Sequence, residues 1–466
     1  MVFSSLLFLT IFLPVTVVLY YLLPKKGKNL LLLAVSLIFY AWGEPSHSIV
    51  MVVTTLYIWG LGLWMAKARK NGQNVLAKIL LVVTLVLSLG TLVFFKYTGF
   101  LVETLPFLQN TQLAELKPAL PIGISFYTFQ ALSYVIDVYR GDVKEQRSWS
   151  NFAMYISLFP QLIAGPIVRY ADVENQIDER PFRAENVVAG VQRFVLGLGK
   201  KVLLANQIGA VWESLSGGTS VLGAWVGILA FALQIYFDFS AYSDMAIGLG
   251  KMLGFESTEN FRYPYQSASV TEFWRRWHMT LGTWFREYVY IPLGGNRKGL
   301  GRQILNMLIV WLLTGFWHGA AWQFVLWGLY YFLFLALEKT FLLKVLEKLP
   351  RFVRHIYALL VVVLGWVLFA SADISAAGGL YKALVGIGVP LADPNALFRL
   401  AGAAVLLVIC LVGATELPKK VALTLNTKLP GALTQTVTVL VLAAVLFVSL
   451  SFLVADSYNP FLYLRF

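Results

Sequence analysis

The sequence predicts an all-α integral membrane protein that crosses the bilayer many times. Of its 466 residues, 58% are hydrophobic and only 13% are charged, and the mean hydropathy is +0.72. A soluble chain of this size could not cover so much apolar surface. Roughly ten to twelve runs are apolar enough to be embedded in a membrane. Because an embedded backbone must satisfy its own hydrogen bonds, these runs are predicted to be helices, some of them broken or re-entrant.

The first four apolar runs alternate in flanking charge. Residues 1–23 lack a basic leader and are too long for a typical cleaved signal, so they are predicted to be a retained first span with an external N terminus. The runs at 30–42, 49–66 and 79–95 follow. Lysine and arginine occur in the loops after the first and third runs, whereas the loop after the second has neither. The positive-inside rule therefore places the two basic loops in the cytoplasm and the other loop outside.

The next two segments carry polar or helix-breaking residues. Polar side chains are spread along the run at 121–137, and such side chains usually face other helices or a wet cavity. Pro160 and the pair Gly165-Pro166 interrupt the following segment. Because irregular backbone at membrane depth must be buried in protein, that segment is predicted to be re-entrant. The charged stretch 169–201 is predicted to be cytoplasmic or interfacial.

The long run at 223–250 contains two carboxylates, Asp238 and Asp244. Residues six apart do not share one helical face, so they are not interpreted as an acid–base pair. Either carboxylate could orient a histidine or an arginine across the core. The alternative is that they cap a break in the helix near the membrane interface.

The stretch 267–290 mixes tryptophans with basic residues. One interpretation is an amphipathic helix that lies on the membrane surface, with its tryptophans at the interface. The other interpretation places His278, Arg275 and Arg276 at the mouth of a pocket, with Trp274 beside them. Guanidinium groups there could hold the phosphates of an incoming donor, because their planar fork matches phosphate oxygens.

The run at 303–339 is broken in the middle, and His318 lies at the break. Gly315 and Gly319 permit a bend and a close approach of the two halves. Basic residues flank both ends, so we predict a hairpin or a broken re-entrant pair with His318 near its tip. A charged group in such a run costs about 2.5 kcal/mol or more, so His318 is predicted to perform acid–base chemistry inside the bilayer. The alternative is a neutral histidine hydrogen-bonded between packed helices.

The remaining runs complete a single predicted membrane domain. No linker is long enough for a separate soluble domain, so residues 1–466 are predicted to form N-terminal spans (1–120), a catalytic core region (121–340) and C-terminal spans (341–466). The last predicted spans are 357–371, 400–412 and 437–454, with the stretch 373–393 and the tail 456–466 outside and the basic stretch 419–428 in the cytoplasm.

Other function classes are not favoured. The net charge of +13 is spread over the loops between apolar runs, which argues against nucleic-acid binding. Cys410 is the one cysteine and lies in an apolar run, so no disulfide framework or thiolate metal cluster is predicted. The H-E-x-x-H and G-x-S-x-G motifs and a complete P-loop are absent from the sequence. We therefore predict no metal, no bound cofactor and no nucleic-acid partner.

His278 lies in WRRWHMTL and His318 lies in FWHG. These stretches closely resemble the membrane-bound O-acyltransferase family, in its alginate O-acetyltransferase branch. The combination of WRRWHMTL at 274–281 and FWHG at 316–319 is highly specific. Ala241, Ala321 and Tyr331 depart from the branch, which often has a glycine, a polar residue and a histidine there, so local packing and hydrogen bonds are expected to differ. The matching stretches are MVFSS from Met1, PIGISFYTFQALSYVIDVYRG from Pro121, FPQLIAGPIVRY from Phe159, YFDFSAYSDMAIGLGKMLGF from Tyr236, NFRYPYQSASVTEFWRRWHMTLGTWFREYVYIPLGGNRKG from Asn260, LLTGFWHGAAWQFVLWGLYY from Leu312 and the terminal SYNPFLYLRF.

The resemblance implies a multi-helix core with a tunnel or funnels that meet near mid-membrane. It also implies that His318 is the family's essential histidine and His278 the second histidine of its active site. We therefore predict transfer of an acetyl group from cytoplasmic acetyl-CoA across the cytoplasmic (inner) membrane toward a secreted polysaccharide such as alginate. An extracytoplasmic acetyltransferase partner is implied to complete the transfer, and membrane lipid is the further expected partner.

Two alternatives remain at the level of sequence. One is D-alanyl or other acyl transfer to a cell-envelope polymer or a lipid, which differs in its donor. The other is a transporter or scaffold for polysaccharide export that performs no chemistry.

Overall fold

The computed structural model describes residues 1–116, 118–162, 165–455 and 461–462, and its regular elements are helices. Short π-helical turns lie at Phe8–Phe12, Lys200–Ala205, Arg286–Tyr290 and Glu338–Leu342, and 3-10 turns at Pro106–Leu108 and Pro264–Gln266. The α-helices in chain order are α1 Leu13–Leu22, α2 Lys25–Ala41, α3 Pro45–Lys70, α4 Asn74–Thr104, α5 Gln112–Glu115, α6 Ile124–Arg140, α7 Trp149–Ser157, α8 Phe159–Leu162, α9 Tyr170–Asp178, α10 Ala184–Gly199, α11 Asn206–Leu215, α12 Val221–Met252, α13 Val270–Arg276, α14 Met279–Phe285, α15 Gly299–His318, α16 Trp322–Leu337, α17 Leu343–Leu346, α18 Arg351–Ala370, α19 Ile374–Leu384, α20 Pro394–Gly413, α21 Leu417–Lys428 and α22 Gly431–Ala455.

Within the described part of the chain, seven helices are long and apolar enough to cross a membrane. This confirms the predicted fold class, an all-α multi-pass membrane protein. The sequence-based count of roughly ten to twelve segments also included shorter runs such as 1–23, in which the structure has a shorter apolar helix at Phe8–Leu22, and that count stays a prediction. The seven helices are α3, α4, α12, α15, α18, α20 and α22.

The chain divides into two compact units. The first comprises residues 1–194 and 243–259, and the second comprises residues 195–242 and 260–466. The predicted division into N-terminal spans, catalytic core and C-terminal spans of a single domain stays a prediction.

In the first unit, α6 confirms what its polar residues predicted. Ser125, Thr128, Gln130 and Ser133 are all buried, so they face protein and not lipid. The predicted break after α6 is present as the single turn α8 followed by backbone without regular structure from residue 165. Ile163 and Ala164 lie outside the described residues, and a re-entrant path stays a prediction.

The two carboxylates of α12 pair with different cations. In the first unit, Asp244 accepts hydrogen bonds from Arg193, at 2.8 Å from Nη2. In the second unit, Asp238 pairs with Lys201 at 2.5 Å, and both side chains are almost fully buried. α12 continues without interruption through both aspartates, so the alternative that they cap a helix break is wrong. Asp244 instead orients an arginine, one of the roles considered for it.

The second unit contains the predicted hairpin. α15 ends at His318 and α16 begins at Trp322, which confirms that His318 lies beside the turn. A Cβ on Gly315 would lie 2.4 Å from the Phe324 carbonyl oxygen, and one on Gly319 would lie 2.3 Å from the Phe324 ring. The two helices can therefore approach this closely only because both positions are glycine.

The stretch 267–290 is not one surface helix. α13 ends at Arg276, His278 has left-handed backbone (φ 44°), and α14 begins at Met279. His278 is only 2% exposed. The interpretation as an amphipathic surface helix is therefore wrong. The left-handed residue breaks the helix, and several side chains of α14 are buried inside the unit.

A buried carboxylate fixes the start of α13. Glu338 is 2% exposed, and its two oxygens accept hydrogen bonds from the backbone N–H groups of Val270 (2.7 Å) and Thr271 (2.8 Å). The hydroxyls of Thr271 (2.6 Å) and Tyr357 (3.1 Å) also donate to it. An anion at a helix N terminus satisfies otherwise unpaired N–H groups and interacts favourably with the helix dipole. Glu338 thus anchors the segment that leads to His278.

The C-terminal spans follow the prediction within the described residues. The predicted run 357–371 lies in α18 as far as residue 370. The runs 400–412 and 437–454 lie within α20 and α22. Of the predicted external tail, only residues 461–462 are described. Both are buried, and the Leu462 N–H donates to Asp238 at 2.6 Å.

Candidate active site

His318 is enclosed by aromatic rings at the C-terminal end of α15. The side chain is 5% exposed. The rings of Trp317, Trp327 and Phe369 contact it edge to face, at centroid distances of 5.1, 4.9 and 5.2 Å. Such packing restricts the imidazole to one orientation and keeps bulk water away from most of its surface. The surroundings of His318 are therefore of low polarity, as its sequence context predicted.

His278 is held by a hydrogen bond from one of its two ring nitrogens. Nδ1 lies 3.0 Å from Oδ1 of Asn260. The same oxygen accepts from the Thr280 hydroxyl (2.9 Å) and lies 3.4 Å from the Thr280 backbone nitrogen. A backbone N–H can only donate, so Asn260 presents its oxygen to this cluster, and Nδ1 of His278 must be the donor.

This arrangement selects one tautomer of a neutral His278. With the proton on Nδ1, the lone pair is on Nε2. Nε2 is buried and has no hydrogen-bond partner in the described ranges. A ligand of the neighbouring cavity can therefore donate a hydrogen bond or a proton to Nε2.

Both histidines line one cavity of about 230 Å³ in the second unit. One wall consists of His278 and of residues from one face of α14 and of the π-helical turn Arg286–Tyr290, spaced by three or four along the chain. The opposite wall is a face of α15 with the same spacing. The lining residues are Trp274, Trp277, His278, Leu281, Gly282, Phe285, Arg286, Tyr290, Met307, Val310, Trp311, Thr314 and His318.

Arg286 and Tyr290 also line a second cavity of about 230 Å³. Its other lining residues come from the loop before α15 and include Arg297. Gly294 (φ 107°) and Gly295 (φ 56°) give this loop a backbone path that other residues rarely adopt. The two cavities thus share residues, and two guanidinium groups lie on the second. A continuous tunnel across the membrane stays a prediction.

The three other predicted site residues lie in different places. Trp274 lines the histidine cavity, and its indole N–H is buried without a hydrogen-bond partner in the described chain. Arg275 is exposed, and Arg276 pairs with Glu272 at 2.7 Å. Neither arginine is among the described residues that line the cavity, and their contact with donor phosphates stays a prediction.

The sequence reasoning missed Arg286 and Asn260. Arg286 follows His278 by eight residues, two helical turns on the same face, and this spacing was a signal that could have found it. Asn260 lies eighteen positions before His278 in irregular backbone, so no periodicity connects them. Among the described residues, no cluster of three or more His, Cys, Asp or Glu side chains could hold a metal ion.

Comparison with known proteins identifies the family of the chain. The model of the membrane-bound O-acyltransferase family matches residues 37–374, a range that includes both histidines. The chain is 41% identical over 401 residues to the protein named "Probable alginate O-acetylase AlgI" from Azotobacter vinelandii, covering 83% of this chain and 79% of that protein.

More distant relatives act on other polymers, according to their names. A peptidoglycan O-acetyltransferase from Helicobacter pylori is 31% identical over 425 residues, with 83% of this chain and 80% of that protein covered. A teichoic acid D-alanyltransferase from Bacillus subtilis is 28% identical over 225 residues, with 45% and 56% covered. The extent of these matches shows that the chain is a multi-pass membrane acyltransferase and belongs to the membrane-bound O-acyltransferase family.

Proposed function

We propose that this protein transfers an acetyl group from cytoplasmic acetyl-CoA for the O-acetylation of a secreted polysaccharide such as alginate. The observation that carries the proposal is that two buried histidines line one cavity, which shares Arg286 with a second, arginine-bearing cavity. The names of two relatives, an alginate O-acetylase and a peptidoglycan O-acetyltransferase, support acetyl transfer to a polymer that contains sugars.

His318 is the general base of the proposed reaction. Its neutral imidazole takes the proton of the attacking hydroxyl while the hydroxyl oxygen bonds to the thioester carbonyl carbon. The tetrahedral intermediate then collapses, the carbon–sulfur bond breaks, and the imidazolium returns the proton to the departing thiolate. Such general-base assistance contributes about 10²- to 10⁴-fold in rate.

His278 positions the donor. Because Asn260 fixes the proton on Nδ1, Nε2 can accept a hydrogen bond from an amide N–H of the donor's pantetheine arm. Trp274 offers its buried indole N–H to a carbonyl group in the same cavity. These two groups would hold the thioester beside His318, and such orientation lowers the entropic part of the barrier.

Arg286 and Arg297 are the proposed contacts for the donor phosphates, because they line the cavity next to the histidine cavity. Arg275 and Arg276 do not line either cavity, and their proposed role is to guide the donor toward the histidine cavity. The loop that carries Arg297 also contains Lys298 and is followed by Arg302. The positive-inside rule supports a cytoplasmic position for this basic loop, the side from which acetyl-CoA would be supplied.

On the opposite side, the proposed acceptor is a hydroxyl group of an extracytoplasmic partner protein, which then acetylates the polysaccharide. The chain would lie in the cytoplasmic (inner) membrane. Family membership favours this chemistry over the alternative of a non-catalytic export transporter. D-alanyl transfer differs from the proposal in its donor, so a donor comparison separates the two.

The test uses the purified full-length chain in lipid vesicles. Radiolabelled acetyl-CoA is supplied on the arginine side, and label is followed into a partner protein or a soluble hydroxyl acceptor on the other side. Acetylation with wild type, and its loss in His318→Gln, is the expected result. Transfer from a D-alanyl thioester but not from acetyl-CoA would contradict the proposed donor, and equal transfer by His318→Gln would contradict the proposed base.

A further inference from the structure

The second unit contains a larger cavity that the proposed reaction does not use. It has a volume of about 700 Å³ and lies between α12, α18 and α20. Most of its lining is aliphatic, contributed by residues such as Leu229, Leu359 and Leu407. The histidines of the candidate active site do not line it, and neither does Arg286. A molecule that fills this cavity would need a long apolar surface.

The polar residues of this groove gather at one end. His355 in the first turns of α18 donates from Nδ1 to the Ser267 carbonyl (3.0 Å), and the neighbouring Gln266 accepts from the Glu416 N–H (3.3 Å). Residues 266–267 therefore bring the start of α18 together with the end of α20. Arg351, the first residue of α18, and Thr415, just after the end of α20, also line this end of the groove.

The opposite end is apolar. Leu400 on α20 and Val363 on α18 lie farthest along their helices from the polar end. Leu400 and Leu411 are eleven residues apart, which is roughly 16 Å along an α-helix. Half of a bilayer's hydrocarbon core is about 15 Å thick. The groove is therefore as deep as the acyl region of one leaflet.

The charge of the polar end identifies the leaflet and the headgroup. Arg351 is exposed. Lys348 and Arg354 lie nearby in sequence, and Lys419 follows α20. Such clustering is typical of a cytoplasmic boundary, where the leaflet carries anionic lipids. The N terminus of the 20-residue α18, with its positive dipole end, lies at the same place.

We propose that this groove binds an anionic phospholipid of the cytoplasmic leaflet. One acyl chain lies between α12, α18 and α20, and the phosphate lies beside Arg351 and His355. The bound lipid would stabilise the position of α18. This helix contains Phe369, whose ring contacts His318. The proposal does not depend on the chemistry assigned to the histidines.

The test is native mass spectrometry of the full-length chain, delipidated in detergent and titrated with dioleoyl phosphatidylglycerol or dioleoyl phosphatidylcholine. Wild type is expected to hold one phosphatidylglycerol in preference to phosphatidylcholine. Arg351→Gln is expected to weaken phosphatidylglycerol binding about fivefold, the effect of one basic residue at an anionic lipid surface. Lys348→Gln removes the same charge from a residue outside the groove lining and is expected to change binding by less than half as much.

A second pair of variants tests the acyl-chain position without changing charge. Leu407→Trp fills the groove and is expected to abolish the bound lipid, whereas Val408→Trp, on an exposed face of the same helix, is expected to retain it. Thermal unfolding of both variants shows whether either has lost its fold. Equal affinity for the two lipids, equal effects of the two tryptophans, or a dimer in place of a lipid adduct would overturn the proposal.

Discussion

Replacing Asn260 by alanine removes the acceptor that fixes the His278 ring. Three hydrogen bonds are lost, from His278 Nδ1 (3.0 Å), from the Thr280 hydroxyl (2.9 Å) and from the Thr280 backbone N–H (3.4 Å). Each buried donor left without a partner costs about 1–3 kcal/mol. The loss disturbs the orientation and tautomer of His278. If about 1.4–2.8 kcal/mol of the cost is added to the activation free energy, acetyl transfer slows on the order of 10- to 100-fold. Asn260→Asp keeps an acceptor and is expected to retain more activity than Asn260→Ala.

The assay is initial-rate transfer from labelled acetyl-CoA in vesicles, with kcat and KM determined separately. Thr280→Val serves as the matched control, because it removes only the hydrogen bond from the Thr280 hydroxyl and leaves the one from His278 Nδ1 to Asn260. Thr280→Val is expected to lose less than threefold in kcat/KM. Wild-type kinetics for Asn260→Ala, or equal losses in Asn260→Ala and Thr280→Val with equal falls in thermal stability, would refute the tautomer argument.

Three further predictions concern the hairpin, the helix anchor and the donor site. Gly315→Ala places a Cβ 2.4 Å from the Phe324 carbonyl oxygen and is expected to lower the thermal unfolding temperature of the purified protein, whereas Gly301→Ala, which has open space around its Cβ, is not. Glu338→Gln loses charge-assisted hydrogen bonds at the start of α13 and is expected to destabilise the protein by about 2 kcal/mol or more in denaturant titration; an unchanged midpoint would contradict the anchoring role. Arg286→Gln is expected to raise the KM for acetyl-CoA about tenfold with little change in kcat, and a larger effect of Arg275→Gln would return the donor site to the position predicted from sequence.

The sequence predicted the hairpin because its evidence is local. An apolar run with a break, basic flanks and glycines at Gly315 and Gly319 leaves few alternatives to two packed helices with His318 at the turn. The buried polar face of α6 was predictable for the same reason, since polar side chains spread along an apolar run are costly to expose to lipid.

The surroundings of His278 were not predictable in this way. A left-handed histidine has no clear sequence signal, so the break between α13 and α14 was not expected and the helical face that joins His278 to Arg286 was not recognised. The role of Glu338 was not predicted from the sequence, because its partners at Val270 and Thr271 are almost seventy residues away in the chain. Contacts over such separations depend on the assembled unit and not on local pattern.

The central claim is that the buried His318 imidazole performs the proton transfer. It is tested most directly by the acetyl ester content of the exported polysaccharide in cells that express His318→Gln, with the amount of membrane-inserted protein measured in parallel. His47→Gln, a change at a histidine outside the cavity lining, is the matched control. We expect normal insertion of both variants, normal acetylation with His47→Gln, and a fall of at least 100-fold with His318→Gln. Normal acetyl content with a fully inserted His318→Gln protein would contradict the account.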